Sequence, residues 1–146
     1  MGERKPNTIR VKVMCLFTKD GKTLGARGYD DIKKQEHFRI IGGSLYFNEK
    51  AEDGIRREVK EELNCDIENL ELIDVIENLY TYSGNKGHDV VFLYKGDLSN
   101  KELYNQEKII IEEEYDTFEA RWIPVQDILS GEAILYPDYD WSKVFK

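Results

Sequence analysis

The sequence has only two cysteines, three prolines and a shortage of positive charge. Cys15 and Cys65 are too few for a disulfide framework, so a reducing cytoplasm is the expected environment. The 21 basic and 29 acidic side chains give a net charge of −8, which repels phosphate backbones and anionic lipid. No apolar run reaches the roughly 18 residues of a membrane span. These shortages argue against nucleic-acid polymers and membranes as partners.

The 146 residues are enough for one domain, and no repeat or linker divides them, so we expect a single domain over residues 1–146. Alternating or clustered β-branched and aromatic residues predict strands. These lie at residues 9–17, 23–26, 38–41, 70–82, 89–94, 109–111 and 120–123. Residues 30–36 are predicted to form a loop, and residues 125–129 a short helix after Pro124.

One long helix is predicted over residues 50–63. Its apolar residues recur every four positions and form one stripe, at Ala51, Ile55, Val59 and Leu63. Asn64 suits the left-handed position that ends many helices.

Three acidic residues of this helix, Glu58, Glu61 and Glu62, share one side of a single turn. Glu62 projects at the margin of the apolar stripe, where like charges repel and burial adds to the cost. Mg²⁺ would offset that charge, because it prefers a few carboxylates together with substrate phosphates. A solvated acidic helix face is the plainer alternative for such a pattern taken alone.

The residues before the helix favour the metal site over the solvated acidic face. A set of residues around the helix has a characteristic spacing, with a glycine and a glutamate before an Arg-Glu-x-x-Glu-Glu run. Its members are Gly43, Glu49, Arg57, Glu58, Val59, Glu61, Glu62 and Cys65. With this spacing the sequence resembles the Nudix hydrolase family, in particular its MutT-like members. Asn64 departs from the family pattern, which has glycine there, and Tyr46 stands where many members have a further glutamate.

The resemblance implies a Nudix-type α/β/α sandwich with a central mixed sheet. It also implies a Mg²⁺-dependent pyrophosphohydrolase, with Mn²⁺ as a substitute ion. The substrate class is a small nucleotide in which a nucleoside diphosphate is joined to another moiety, such as a nucleoside triphosphate or ADP-ribose. A homodimer is compatible with the resemblance.

The resemblance also implies roles for individual residues. Expected metal ligands are Glu58 and Glu62, then Glu61 and the carbonyl of Gly43. Arg57 would orient a carboxylate, either Glu49 or Glu61. Glu49 itself would be linked to the metal or cap the helix entry.

The base that deprotonates the attacking water has several candidates. One is Glu61 of the helix. The others are the acidic run of a distant loop, Glu112, Glu113 and Glu114, and Glu119, just before Arg121. We expect Glu113 to represent the loop. Substrate contacts are predicted for Arg39, because its strand ends at a glycine pair, and for the aromatic residues Tyr46 and Phe47.

Two other functions are compatible with the pattern. A module that binds a nucleotide without hydrolysing it would gain little from so costly an acidic cluster. Isomerisation of a prenyl diphosphate would need a cysteine and glutamate pair suited to proton transfer, which the sequence does not show.

Overall fold

The computed structural model describes residues 7–113 and 116–145. Nine strands lie in one mixed sheet: β1 (Ile9–Leu16), β2 (Thr18–Lys19), β3 (Lys22–Asp30), β4 (Gln35–Ser44), β5 (Ile67–Tyr82), β6 (Asn85–Leu98), β7 (Lys108–Glu113), β8 (Asp116–Pro124) and β9 (Leu135–Tyr136). The helices are α1 (Ala51–Leu63) and α2 (Val125–Ser130), with 3₁₀ turns at Lys101–Asn105 and Trp141–Lys143.

The strands follow the order β5-β6-β1-β4-β3-β8-β7, with β2 beside β3 and β9 beside β4. The β1–β6 and β4–β9 pairs are parallel, and the other pairs are antiparallel. This arrangement confirms the predicted mixed sheet.

The alternation of β1 divides its side chains between two apolar clusters. Val13 and Cys15 belong to the cluster that contains Ile55 and Val59 of α1. Met14 and Leu16 belong to the other cluster, with Ile128, Trp141 and Phe145 from α2 and the C-terminal segment. Since neighbouring residues of a strand point to opposite faces, the sheet is packed on both sides.

Helix α1 confirms the predicted helix to within one residue at its start. Asn64 follows it with φ 51° and ψ 41°, the left-handed conformation that the sequence predicted. The Asp20-Gly21 turn between β2 and β3 also has positive φ at both residues, 45° and 74°, as expected for a tight hairpin. Local sequence signals were therefore reliable at these turns and ends.

The predicted loop over residues 30–36 is wrong at both ends. Strands β3 and β4 pair as far as Asp30 and Gln35, so only residues 31–34 connect them. Glu112 and Glu113 also end strand β7, opposite Thr117 and Asp116, instead of lying in a loop. In both places ladder hydrogen bonds with a neighbouring strand outweigh the low strand propensity of polar residues.

No helix in the described part of the chain is long and apolar enough to cross a membrane.

Candidate active site

Two glutamates of α1 are buried beside the end of β4. Glu58 is 9% exposed and Glu62 8% exposed, although both are charged residue types that are rarely buried alone. The end of β4 approaches them closely: a Cβ atom on Gly43 would lie 2.5 Å from the Glu58 carboxylate. Glycine at this position therefore lets the backbone and the carboxylate meet, and any side chain would displace Glu58.

Glu62 has the most costly environment of the acidic residues in α1. Its side chain is 2% exposed, and neither carboxylate oxygen has a hydrogen-bond partner among the described residues. The nearest cation is Arg39, whose Nη2 lies 3.6 Å from Oε2 of Glu62. Burial raises the pKa of Glu62 to about 8; Arg39 opposes this shift, whereas the carboxylates of Glu58 and Glu113 add to it. Such a group calls for a positive partner.

Arg57 joins the acidic residues to the loop before the helix. Its Nε and Nη2 donate to the two carboxylate oxygens of Glu49 at 2.8 and 3.0 Å. Its Nη1 donates to Glu58 at 2.9 Å, and Nη2 also donates to the carbonyl of Ser44 at 3.0 Å. The contacts with Glu61 are longer, 3.4 Å. The paired bonds to Glu49 form the fork geometry that arginine makes with a carboxylate.

These hydrogen bonds also shift the pKa values of the residues that they join. The Arg57 bonds hold the pKa of Glu49 below its usual range, and the Glu49 and Glu58 carboxylates raise the pKa of Arg57. Burial raises the pKa of Glu58, while its bond from Arg57 lowers it. Glu49 accepts the backbone N–H of Tyr46 at 3.1 Å, and the residue at the helix N-cap, Lys50, makes no side-chain capping bond. Glu49 therefore fixes the entry loop and does not cap the helix.

Glu61 is placed differently from Glu58 and Glu62. Its side chain is 53% exposed and turns toward Arg57. The sequence predicted three carboxylates on one side of a turn, and the fold buries two of them and leaves the third at the surface.

Tyr46 covers the guanidinium of Arg57, whose Cζ lies 3.6 Å from the centre of the ring. This is a cation–π contact in a partly exposed position. Phe47 is fully exposed. Neither aromatic residue lines the cavity next to Arg39, so that cavity offers no support for the predicted substrate contacts of Tyr46 and Phe47.

That cavity has a volume of about 550 Å³, and Glu58 and Glu62 are not among its lining residues. Arg39 and Glu113 line it and also lie next to Glu62. Arg39 donates to the carbonyls of Ile40 and Gly42 at 3.3 Å, so its guanidinium is held at the glycine end of β4. The phosphate contact predicted for Arg39 is therefore compatible with its position in the cavity.

The cavity walls are rich in rings from strands that are distant in sequence. They include His37, Tyr80, Tyr82, Phe118 and Tyr136. His37 meets Tyr82 and Tyr136 edge to face, with ring centres 5.4 and 5.3 Å apart. A Cβ atom on the facing Gly28 would lie 2.5 Å from His37 Nε2, so this glycine makes room for the imidazole.

His37 is a cavity residue that sequence reasoning missed. A lone histidine without ligand-like spacing does not by itself indicate a site in the sequence. The signal was the two-residue spacing from Arg39 in a strand, which places both side chains on one face.

The predicted acidic bases separate in the structure. Both Glu112 and Glu113 are exposed, but only Glu113 lines the cavity. Glu119 accepts a bond from Arg121 at 2.8 Å, lies 3.9 Å from Lys108, and is also outside the cavity lining. Glu114 lies outside the described residues. Of the described acids beyond α1, Glu113 is therefore the one placed toward Glu62.

The donor set fits a hard divalent cation. Within residues 7–113 and 116–145, no three acidic, histidine or cysteine side chains are already gathered as a complete metal cage. Mg²⁺ does not need one, because it is typically bound by one or two carboxylates, water and substrate phosphates. The two buried carboxylates of Glu58 and Glu62, and the partnerless oxygens of Glu62, match that requirement.

Comparison with known proteins agrees with this fold and spacing. The model of the NUDIX domain matches residues 6–142. No curated protein sequence is significantly similar to the chain.

Solved structures share the fold. A structure described as an ADP compounds hydrolase is 15% identical with a TM-score of 0.56, over 95% of this chain and 68% of that one. A NUDIX hydrolase from Nitrosomonas europaea is 19% identical with a TM-score of 0.56, over 91% and 82%. A MutT NUDIX hydrolase from Burkholderia pseudomallei is 19% identical with a TM-score of 0.55, over 94% and 95%. At these identities the likeness establishes the fold, and the domain match over residues 6–142 establishes the family. The chain belongs to the Nudix family and is a hydrolase that acts on pyrophosphate bonds.

Proposed function

We propose that this chain is a Mg²⁺-dependent pyrophosphohydrolase of small nucleotides. It cleaves the diphosphate linkage of a nucleoside diphosphate joined to another moiety, such as a nucleoside triphosphate or ADP-ribose. The observation that carries the proposal is the buried carboxylate of Glu62. Its oxygens lack hydrogen-bond partners among the described residues, and Arg39, which lies 3.6 Å from it, lines a cavity of about 550 Å³. A sequence gains nothing from that arrangement in folding alone, because a buried carboxylate without hydrogen bonds destabilises the native state.

Glu58 and Glu62 would hold the cation, with the carbonyl of Gly43 and the exposed carboxylate of Glu61 as further ligands. Nudix hydrolases generally depend on divalent metal ions. When bound, the ion would neutralise phosphate charge and lower the pKa of a coordinated water.

Arg57 would act as a positioning residue. Its hydrogen bonds fix Glu58 from one side and Glu49 from the other, so the metal-binding carboxylate is held before substrate arrives. The ring of Tyr46 over the guanidinium restricts Arg57 further. Preorganisation of this kind is what phosphoryl transfer requires, since that reaction depends mainly on positioning and charge neutralisation.

Arg39 would bind the phosphate chain. Its side chain is 35% exposed, lines the cavity and carries the positive charge nearest to Glu62. A guanidinium in this place can pair with two phosphate oxygens. The phosphates would thereby lie between Arg39 and the buried carboxylates.

The proton of the attacking water would pass to a carboxylate oxygen of Glu113 or of Glu61. Glu113 is favoured by its position, because it lines the cavity and lies close enough to Glu62 to raise the pKa of that residue. Glu61 is less favoured by its position, because its carboxylate contacts Arg57 at 3.4 Å and does not line the cavity.

The aromatic part of the cavity would receive the nucleoside. His37, Tyr82 and Tyr136 supply ring surfaces, while Asn78 and Asp89 supply polar groups in the same cavity. This mixture of rings and a few polar groups is typical of small-molecule sites.

The decisive experiment is a substrate panel assayed with Mg²⁺, with Mn²⁺ and with chelator, using product analysis to detect phosphate, pyrophosphate and nucleoside monophosphate. We expect metal-dependent cleavage of at least one nucleoside diphosphate derivative. Glu62→Gln should lower kcat by orders of magnitude. Glu52→Gln is the matched control, because Glu52 lies on the same helix and its side chain is 64% exposed.

Two results would overturn the proposal. Full Mg²⁺-dependent activity of Glu62→Gln would remove Glu62 from the metal site. Binding of nucleotides across the panel without any product would instead identify a nucleotide-sensing module.

Two further statements are part of the proposal. A reducing cytoplasm suits Cys15 and Cys65, which are buried and not joined to each other. The single domain over residues 1–146 stays a prediction, which limited proteolysis can test. The homodimer also stays a prediction, and light scattering would measure the oligomeric state.

A further inference from the structure

A second cavity of about 350 Å³ lies away from the candidate active site. Four of its lining residues are cationic: Lys19, Lys22, Lys108 and Arg121. Among the described residues, none lines both cavities. Because the chain as a whole carries a net charge of −8, this concentration of positive charge is contrary to its average composition.

The four cations form two like-charged cross-strand pairs. Lys19 of β2 lies directly opposite Lys22 of β3, and Lys108 of β7 lies directly opposite Arg121 of β8. Like charges in directly opposed positions destabilise a sheet. Two such pairs that meet at one concave site therefore carry a cost that a bound anion would relieve.

The acidic residues nearby compensate this charge only in part. Glu119 accepts a bond from Nη2 of Arg121 at 2.8 Å and lies 3.9 Å from Nζ of Lys108. Glu107 also lines the cavity. Nε of Arg121 is buried and has no hydrogen-bond partner among the described residues, so the Glu119 carboxylate leaves the guanidinium incompletely hydrogen-bonded.

The floor of this cavity favours a compact ligand over a nucleobase. Trp122 is only 9% exposed, Tyr104 stacks on it with ring centres 5.4 Å apart, and Nζ of Lys19 lies 5.1 Å from the centre of a Trp122 ring. Little of the indole is left for a base to stack on. Asn105 and Gln106 add polar groups to the cavity lining.

We propose that this cavity, lined by Lys19, Lys22, Lys108 and Arg121, is a second anion site that binds a compact phosphate-bearing ligand of about the size of pyrophosphate. A polyvalent phosphate suits four cations better than a monovalent carboxylate, because it neutralises more of them at once. The guanidinium of Arg121 supplies directional bonds, and the lysines supply point charges. The site is independent of the pyrophosphohydrolase function, since it shares no lining residue with that cavity.

The test is a titration of the full chain with inorganic pyrophosphate in the presence of EDTA, followed by NMR of the two tryptophan indole N–H signals. We expect the Trp122 signal to shift with saturation, because Lys19 of the proposed site lies over its ring. Trp141 packs in the other apolar cluster and should not move. A second titration with ADP distinguishes a site for a free anion from a site for the phosphate end of a nucleotide. A site for the phosphate end of a nucleotide should bind ADP and pyrophosphate with similar affinity, whereas a site for the free anion should bind pyrophosphate more tightly.

The variant Lys22→Gln/Lys108→Gln should weaken pyrophosphate binding by about tenfold or more, from the loss of two charge-assisted contacts. Without ligand it should melt at the same or a higher temperature than the wild type, because one member of each like-charged pair is removed. The matched control is Lys34→Gln/Lys143→Gln, which removes the same charge from exposed positions elsewhere.

Unchanged affinity in the Lys22→Gln/Lys108→Gln variant, or equal weakening in the control variant, would overturn the proposal. A pyrophosphate titration that leaves the Trp122 signal in place up to millimolar concentrations would do the same.

Discussion

Nη2 of Arg39 and Oε2 of Glu62 lie 3.6 Å apart, close enough to interact as charges but too far for a hydrogen bond. Glu62 thus has a countercharge without a donor, inside a region where its side chain is 2% exposed. A carboxylate in that state costs folding free energy. The Glu62 carboxylate therefore lowers the stability of the metal-free fold, although the proposed reaction needs it as a metal ligand.

We therefore expect Glu62→Gln to stabilise the metal-free protein while it abolishes activity. A neutral amide avoids the cost of a buried charge, and each kcal/mol gained should raise Tm by about 3 °C in a chain of this size. Mg²⁺ should raise the Tm of the wild type but not that of the variant. Thermal unfolding with EDTA and with Mg²⁺ measures both effects. A less stable variant that still responds to Mg²⁺ would show that Glu62 is a structural residue.

Arg57→Lys should lower kcat by about 10- to 100-fold without unfolding the protein, because lysine keeps the charge but cannot make the paired bonds to Glu49 together with the bond to Glu58. The neighbouring Arg56→Lys is the matched control, since Arg56 is exposed and contacts Glu52 at 3.4 Å. Steady-state kinetics with purified variants provides the comparison. Equal activity of the two variants would mean that the fork geometry of Arg57 is not needed.

Glu113→Gln should reduce kcat by about 10²- to 10⁴-fold if Glu113 accepts the proton of the attacking water. Glu112→Gln is a stringent control, because Glu112 is adjacent in β7 but outside the cavity lining. Glu61→Gln tests the other candidate in the same assay. A large loss in Glu61→Gln with a normal Glu113→Gln would transfer the role of base to Glu61.

The contribution of His37 to the stability of the protein should fall as the pH drops below about 6.5, whereas the raised pKa values of Glu62 and Glu58 act in the opposite direction. Burial lowers the pKa of His37 below its ordinary value, with Arg39 acting in the same direction and Asp30 opposing it. In the window between the lowered folded pKa and about pH 6.5, the unfolded chain binds more protons at this residue, so acid favours unfolding.

The measurement is the change in Tm between pH 7 and pH 5.5. Relative to the wild type, His37→Gln should gain Tm as the pH falls, and His88→Gln, which alters the other histidine of the chain, is the control. Identical pH dependence in the wild type and His37→Gln would contradict the prediction.

Local features of the sequence predicted local structure well. The four-residue spacing from Ala51 to Leu63 located α1, and Asn64 marked its end. The same periodicity placed Glu62 at the margin of the apolar stripe, and the structure buries it there. These results depend on hydrogen bonds and side-chain contacts within one turn, which a short stretch of sequence specifies.

Strand ends were predicted less well, because pairing across a sheet depends on partners far away in the chain. β3 extends to Asp30 only because β4 pairs with it, and β7 extends to Glu113 only because β8 lies opposite. Neither residue has a high strand propensity of its own.

The sequence by itself determined the helix, its spacing of acidic residues and the family to which the chain belongs. Only the tertiary structure decided which carboxylates are buried together, that Arg39 and Glu113 flank Glu62, and that His37 meets Tyr82 and Tyr136. The reason is the range of the interactions. Helical periodicity is encoded within a few residues, whereas the cavity joins side chains from separate strands whose register is fixed by the whole sheet.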